Sequence, residues 1–207
     1  KHQMNVEFFK EFGRTNPTLP LTDAGNIVQG NACRLDWERF CPKGENDEVF
    51  ILGNPPYLGS RNQTTLQKED LKFVFKNKYK SLDYISAWFL KASDFIQGTS
   101  AKFAFVSTNS ICQGEQVDLM WSPIFKRGLE ISFAHQGFKW TNNAKNKAAV
   151  IVVVVGVQTK QKGSKIIYKE NVKKITSNIS PYLSSGSSTI IKSHKSSISN
   201  FPEMNFG

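Results

Sequence analysis

Cysteine is scarce in this chain of 207 residues: Cys33, Cys41 and Cys112 form neither a CxxC pair nor an even set. The three histidines are scattered as well, so a disulfide scaffold and a metal site of the zinc type are both poorly supported. No apolar run reaches the roughly 20 residues that span a bilayer. The longest is Ala148–Val157, and no membrane partner is expected. The opening at Lys1 carries no basic-then-apolar leader, and the thiols suit a reducing, cytoplasmic setting. Acidic residues are sparse in one half only. Residues 1–100 hold 13 Lys/Arg against 12 Asp/Glu, residues 101–207 hold 14 against 5, and the whole chain carries +10. Eight lysines and one acid, Glu170, fall between Lys160 and Lys195. Such a run is either a solvated surface or a site for a polyanion, because clustered lysines release phosphate counterions on binding. Charge alone does not separate the two.

What is present is core material. A hydrophobic fraction of 39%, with 16 Phe and 4 Trp, can bury a core and argues against wholesale disorder. His2–Phe12 reads as the end of a helix stopped at Gly13, followed by a loop with Pro17 and Pro20. Short strands are expected around Ile27–Gln29 and at Val49–Leu52. Residues 58–82 show no clean period and read as a loop with a short helix. Leu82–Ile96 is strongly helical, with Tyr84, Ala87, Trp88, Ala92 and Phe95 on one side. A strand at Lys102–Thr108, a helix from Glu115 to Lys126, a strand at Leu129–Ala134 and a β-branched run at Ala148–Val157 complete the alternation. That rhythm belongs to an α/β wound sheet. The last run is a strand covered on both faces, or a hairpin partner of Leu129–Ala134 that makes one antiparallel edge. From Gln158 the composition turns to linker or irregular surface, with ten serines between Ser177 and Ser199.

The chemistry is concentrated in Asn54-Pro55-Pro56-Tyr57, directly after an apolar strand. An ordinary turn could use the same residues, since X-Pro steps disfavour helix and Asn initiates turns. With Pro at about 5% of residues, however, an Asn-Pro-Pro-aromatic run is rare by chance. In an open α/β sheet, ligands sit at the carboxyl ends of strands, and Asn54 is there. Two prolines fix the backbone, and Pro55 has no N–H to offer, so the corner is rich in acceptors. The Asn54 side-chain oxygen and the Pro55 carbonyl suit the two hydrogens of an exocyclic amino group. Holding both directs the nitrogen lone pair outward and favours the charge that develops as it attacks an electrophile. Tyr57 adds a flat face for stacking a base.

This motif resembles that of S-adenosylmethionine-dependent amino-methyltransferases, above all the DNA adenine-N6 enzymes. The likeness extends through Ile27–Trp37, Gly53–Tyr57, Phe105–Val117, and Ile131–His135 with Phe138-Lys139-Trp140, and is to the MmeI-like, single-polypeptide restriction-modification proteins. It covers roughly residues 3–157, and Phe105–Val117 is its most specific part. By position, the resemblance implies that Asn54 and Pro55 accept from the target adenine N6 and that Tyr57 stacks on the flipped base. Phe138, or Trp140, is the second aromatic of the base pocket. Asn31 stands where related enzymes often place an Asp for the cofactor adenine. The resemblance also implies that Tyr84 and Trp88, with Pro56, line that adenine pocket; the same spacing also suits plain helix core.

The resemblance also implies a Gly-rich cofactor loop ahead of the strand at Ile27, and no such loop lies among residues 1–26. The expected fold is therefore the later half of a Rossmann-like class I methyltransferase sheet. Residues 1–157 belong to the catalytic domain; 158–207 are a linker and the start of a DNA target-recognition region, entered at Phe201–Gly207. The expected partner is double-stranded DNA with a flipped adenine, and the cofactor is S-adenosylmethionine. Methylation itself needs no metal. The piece alone is expected to be catalytically silent and prone to self-association through an exposed sheet edge. Rival readings are amino-methylation of RNA or of a protein glutamine, and a non-catalytic nucleic-acid-binding remnant.

Overall fold

The computed structural model describes residue 10 and residues 27–44, 47–140 and 150–192; of Trp140 and Val150 only the backbone is described. The expected helix at His2–Phe12 (apart from Lys10, which is helical), the loop with Pro17 and Pro20, and Phe201–Gly207 lie outside the described residues. The chain divides into two units, Lys1–Gly30 and Asn31–Gly207. In the first, residues 27–29 carry no strand, contrary to expectation. An apolar run becomes a strand only where a ladder partner takes its N–H and C=O groups.

Among the described residues of the second unit, six strands form one sheet in the order β1-β2-β4-β3-β5-β6. They are β1 (Phe50–Gly53), β2 (Lys102–Thr108), β3 (Leu129–Trp140), β4 (Val150–Thr159), β5 (Lys165–Lys169) and β6 (Val172–Thr176). Strands β1, β2, β3 and β5 run one way, and β4 and β6 run against them. The run around Val152–Val157 does pair antiparallel with β3, but it lies between β2 and β3 and not at an edge. Both neighbours cover it, and Val152, Val153, Val155 and Val157 are buried. Gly156 is required there: a Cβ at this position would come within 2.2 Å of the Phe133 ring on β3.

The helices lie in the connections. They are α1 (Trp37–Phe40), α2 (Thr65–Phe75), α3 (Ser86–Ile96), α4 (Gly114–Gln116) and α5 (Ser122–Lys126). Of these, α3 packs on β2 and β4, α5 on β3, and α2 on α3. Between α4 and α5 the expected continuous helix widens into a π-turn at Val117–Trp121. Pro123 lies just beyond and has no N–H for the Leu119 carbonyl, which loosens the ladder here. Burial alternates along β2, and the buried Phe103 and Phe105 meet Phe89 of α3 edge-on, at ring separations of 5.7 and 5.4 Å. Trp121 completes the cluster 5.8 Å from Phe89. Each such pair adds about 0.5–1.5 kcal/mol beyond its buried area.

Two further expectations need correction. The stretch called a loop with a short helix contains the eleven-residue α2, which begins at a capping box: Thr64 Oγ1 accepts from Gln67 N, and Gln67 Oε1 accepts from Thr64 N. The stretch after Gln158 is not linker throughout, because β5 and β6 extend the sheet to Thr176. Ile166 and Ile167 supply apolar material among the lysines, and Lys165 is buried with Glu130 at 2.9 Å. Lys165 therefore leaves the basic surface, and its ammonium also donates to the Gln161 and Gly163 carbonyls.

Candidate active site at the carboxyl end of the first strand

Strands β1 and β2 are parallel, in a register that sets Gly53 opposite Phe105. Both deliver their carboxyl ends to one edge of the sheet, and Asn54-Pro55-Pro56-Tyr57 begins there. Asn54 and Pro56 are exposed, Pro55 is buried, and Tyr57 is half-buried against the core. A buried proline between exposed neighbours anchors the corner and leaves the Asn54 side chain turned to solvent.

The next residue, Leu58, is tied down through its backbone. Its N–H donates to Asp83 Oδ1 at 2.8 Å. Its carbonyl accepts from Tyr84 N at 3.0 Å and from the buried Gln63 amide at 2.8 Å. Gln63 donates to the Leu82 carbonyl as well, also at 2.8 Å. Behind Asp83 stand Thr108 and Ser110, whose hydroxyls are 2.6 Å apart, and Gln116, whose Oε1 accepts from Asp83 N at 2.9 Å. Three residues of the Phe105–Val117 stretch thus converge on one carboxylate-bearing residue.

A second cluster gathers Asn31, Arg34, Asp70 and Tyr84. Asn31 accepts from Cys33 N at Oδ1 (2.9 Å) and donates from Nδ2 to Asp70 Oδ2 at 2.8 Å. Arg34 donates to Asp70 Oδ1 at 2.6 Å, and its guanidinium lies 4.5 Å from the centre of the Phe73 ring. The Tyr84 hydroxyl donates to Asp70 Oδ2 at 2.8 Å. Burial by itself would raise the Asp70 pKa, but the hydrogen bonds from Asn31, Arg34 and Tyr84, with the Arg34 charge, hold it below its ordinary value. Burial, then the hydrogen bond to Asp70, pushes Tyr84 upward, so it stays a donor. Burial, then the Asp70 charge, pushes the Cys33 thiol up to about 12. That thiol is not a nucleophile at neutral pH.

Tyr84 and Trp88 do meet, edge-on at 4.9 Å. Tyr84, however, lies in the turn ahead of α3 and not on the helix. Asp83 and Tyr84 are consecutive, so one dipeptide joins the Asn-Pro-Pro-Tyr corner to the Asn31 cluster. Phe138 is on β3, level with Val152 of β4, which is level with Thr108 of β2. It therefore occupies the same edge as Asn54, three strand intervals away, or about 14 Å at ~4.8 Å per interval. Its ring stands edge-on to His135 at 4.8 Å. The Trp140 backbone pairs with Val150, and its side chain lies outside the described residues. Among the described residues no cluster of His, Cys, Asp or Glu is suited to a metal ion, and no helix is long and apolar enough to cross a membrane.

Sequence reasoning missed Asp70, Asp83 and Gln63. The signal for Asp70 was the capping box at Thr64, which starts α2 and sets Asp70 and Leu71 on its buried side. Asp83 had only the ordinary local signal of a turn aspartate, which accepts from Ile85 N two residues on; its other partners come from positions 58, 108, 110 and 116.

An open α/β sheet with Asn-Pro-Pro-Tyr beyond the carboxyl end of a parallel strand defines a Rossmann-like methyltransferase domain, here represented by part of its sheet. The chain belongs to the MmeI DNA-methyltransferase domain family, which residues 1–169 match. It is 48% identical over its whole length to DNA methyltransferase A of Bacillus subtilis (strain 168), and spans 24% of that protein. The solved structure of the Type IIL restriction-modification enzyme MmeI in complex with DNA superposes with a TM-score of 0.84 at 40% identity. That match covers 97% of this chain and 28% of the MmeI chain.

Proposed function

We propose that this chain is the base-side portion of a longer restriction-modification polypeptide that methylates adenine N6 in a specific DNA sequence. The observation that carries this reading is the corner itself. Asn54 is exposed at the carboxyl end of β1, anchored on one side by the sheet and on the other by the clamped Leu58. Asn54 Oδ1 and the Pro55 carbonyl accept the two hydrogens of the target amine, which leaves its lone pair directed outward. Tyr57 stacks on the adenine once it leaves the duplex, and Phe138, or Trp140, closes the base pocket from β3.

S-adenosylmethionine supplies an electrophilic methyl group, which the amine takes directly without a covalent enzyme intermediate. The residues present fit its adenine end. Trp88 is half-buried and Asn31 and Pro56 are exposed, so these three keep surface for a ligand, while Tyr84 is buried behind Trp88 with its hydroxyl on Asp70. Asn31 uses one amide hydrogen on Asp70 and its oxygen on Cys33, which leaves its second amide hydrogen for a ligand. The cluster thus orients the residue that takes the usual acidic position. Of residues 158–207, the part beyond β6 leads into the target-recognition region.

Phe50 and Leu52 are 56% and 74% exposed on β1, whose described ladder is to β2 alone. In the longer polypeptide this edge meets the preceding part of the sheet; in the isolated chain it favours self-association. The test is transfer of labelled methyl by the longer polypeptide to duplex DNA, followed by digestion to nucleosides. Label in N6-methyl-2′-deoxyadenosine supports the reading; no label in the DNA, with label appearing when RNA or a glutamine-bearing protein is supplied instead, contradicts it. The isolated chain is expected to transfer none.

A further inference from the structure

We infer that Asp83 is a positioning residue for methyl transfer: its carboxylate fixes the far end of the Asn54–Tyr57 corner by holding the Leu58 N–H. The corner is four residues strung between two fixed points. At one end the β1–β2 ladder sets Gly53 opposite Phe105. At the other, Leu58 has its N–H on Asp83 and its carbonyl on Tyr84 N and Gln63. Two prolines stiffen the span, so the place of Asn54 Oδ1 is set by where its two ends are held.

The surroundings of Asp83 argue that geometry is its purpose. The residue is 4% exposed, yet it makes no ion pair among the described residues. A buried carboxylate without a cation is costly unless its oxygens are hydrogen-bonded. Here every partner is a neutral donor: Oδ1 takes Leu58 N at 2.8 Å and Ile85 N at 3.2 Å, and Oδ2 faces the Thr108 and Ser110 hydroxyls at 3.5 and 3.4 Å. The two hydroxyls share one hydrogen bond between themselves, so one of them donates to Oδ2 at a time. With the two backbone N–H groups on Oδ1, this still calls for a group that accepts at both oxygens, as a carboxylate does. Its own N–H is held by Gln116, so backbone and side chain are both fixed. The carboxylate touches neither base nor methyl donor; it acts through Leu58.

This inference rests on the proposed reading that Asn54 holds the target amine, but its test uses whichever acceptor the wild-type polypeptide modifies. A failure of the adenine reading therefore leaves the test intact. Asp83→Ala and Asp83→Asn are made in the longer polypeptide, and single-turnover rate and dissociation constants for S-adenosylmethionine and acceptor are measured. Asp83→Ala is expected to lower the rate about 100-fold, as a misplacement of about 1 Å does. Both dissociation constants should stay within about threefold, and Asp83→Asn should recover to within about tenfold of wild type. The amide keeps an oxygen for Leu58 N, and the two hydroxyls can turn to accept from its nitrogen. A rate for Asp83→Ala within about threefold of wild type overturns the inference. So does a loss matched by weaker binding, or an Asn variant as poor as the Ala variant. Should Asp83→Ala not fold, Ser110→Ala decides: a several-fold slower rate at unchanged binding supports the role, and a wild-type rate overturns it.

Discussion

Tyr84 and Asn31 donate to the same oxygen: the tyrosine hydroxyl and the asparagine amide each lie 2.8 Å from Asp70 Oδ2. A residue ahead of α3 and a residue 53 positions earlier in sequence are thereby registered on one carboxylate from α2. Because Asp83 next door holds Leu58, the same backbone segment sets both the proposed base corner and the proposed cofactor wall.

That carboxylate makes stability depend on pH in a definite direction. The folded pKa of Asp70 lies below its ordinary 3.8, so its contribution is fully present above that value and is lost as pH falls through the folded value. Asp70→Asn is expected to cost about 1–3 kcal/mol near neutral pH, through loss of charged hydrogen bonds. Urea denaturation of both chains should show the gap closing as pH falls below 3.8 and through the folded value. A gap of constant size would mean that the charge of Asp70 is not what matters.

Tyr57 is expected to act through its ring face. In the longer polypeptide, Tyr57→Ala should weaken binding to DNA carrying a destabilised target base by about 1–3 kcal/mol, while Tyr57→Phe stays near wild type. Equal damage from both substitutions would assign the effect to the hydroxyl.

The buried pair Lys165–Glu130 joins β5 to β3 and to the loop after β4. Glu130 Oε1 also accepts from Gln158 Nε2 and Gln161 N, each at 3.1 Å. Lys165→Met leaves Glu130 buried without its cation and should cost about 3–5 kcal/mol, whereas replacing both residues by leucine should cost less. Chemical denaturation distinguishes these; a Lys165→Met chain as stable as wild type would show that the pair is dispensable.

The sheet was legible wherever apolar period and length agreed. Lys102–Thr108 forms a strand over the expected span because its alternation matches burial on α3. Leu129–Ala134 was found but runs on to Trp140, because antiparallel pairing with β4 holds polar residues such as Lys139 in register. β5 was hidden among lysines, since nothing local distinguishes Lys165, which is buried, from its solvated neighbours. At the site, Asn54 and its prolines announced themselves through a short, rare motif. Asp70 and Asp83 did not, because a carboxylate's role depends on partners tens of residues away. Asn31 was read as an unusual ligand, and its engagement with Asp70 gives the amide a reason: it donates where an aspartate would repel.

In the proposed reading Asn54 holds the target amine and not the cofactor. The most direct measurement is labelled-methyl transfer to DNA by the longer polypeptide with Asn54→Ala, alongside its affinity for S-adenosylmethionine. Transfer should fall to background while cofactor affinity stays within about threefold of wild type. Retained transfer, or cofactor affinity falling in step with activity, would contradict the assignment of this corner.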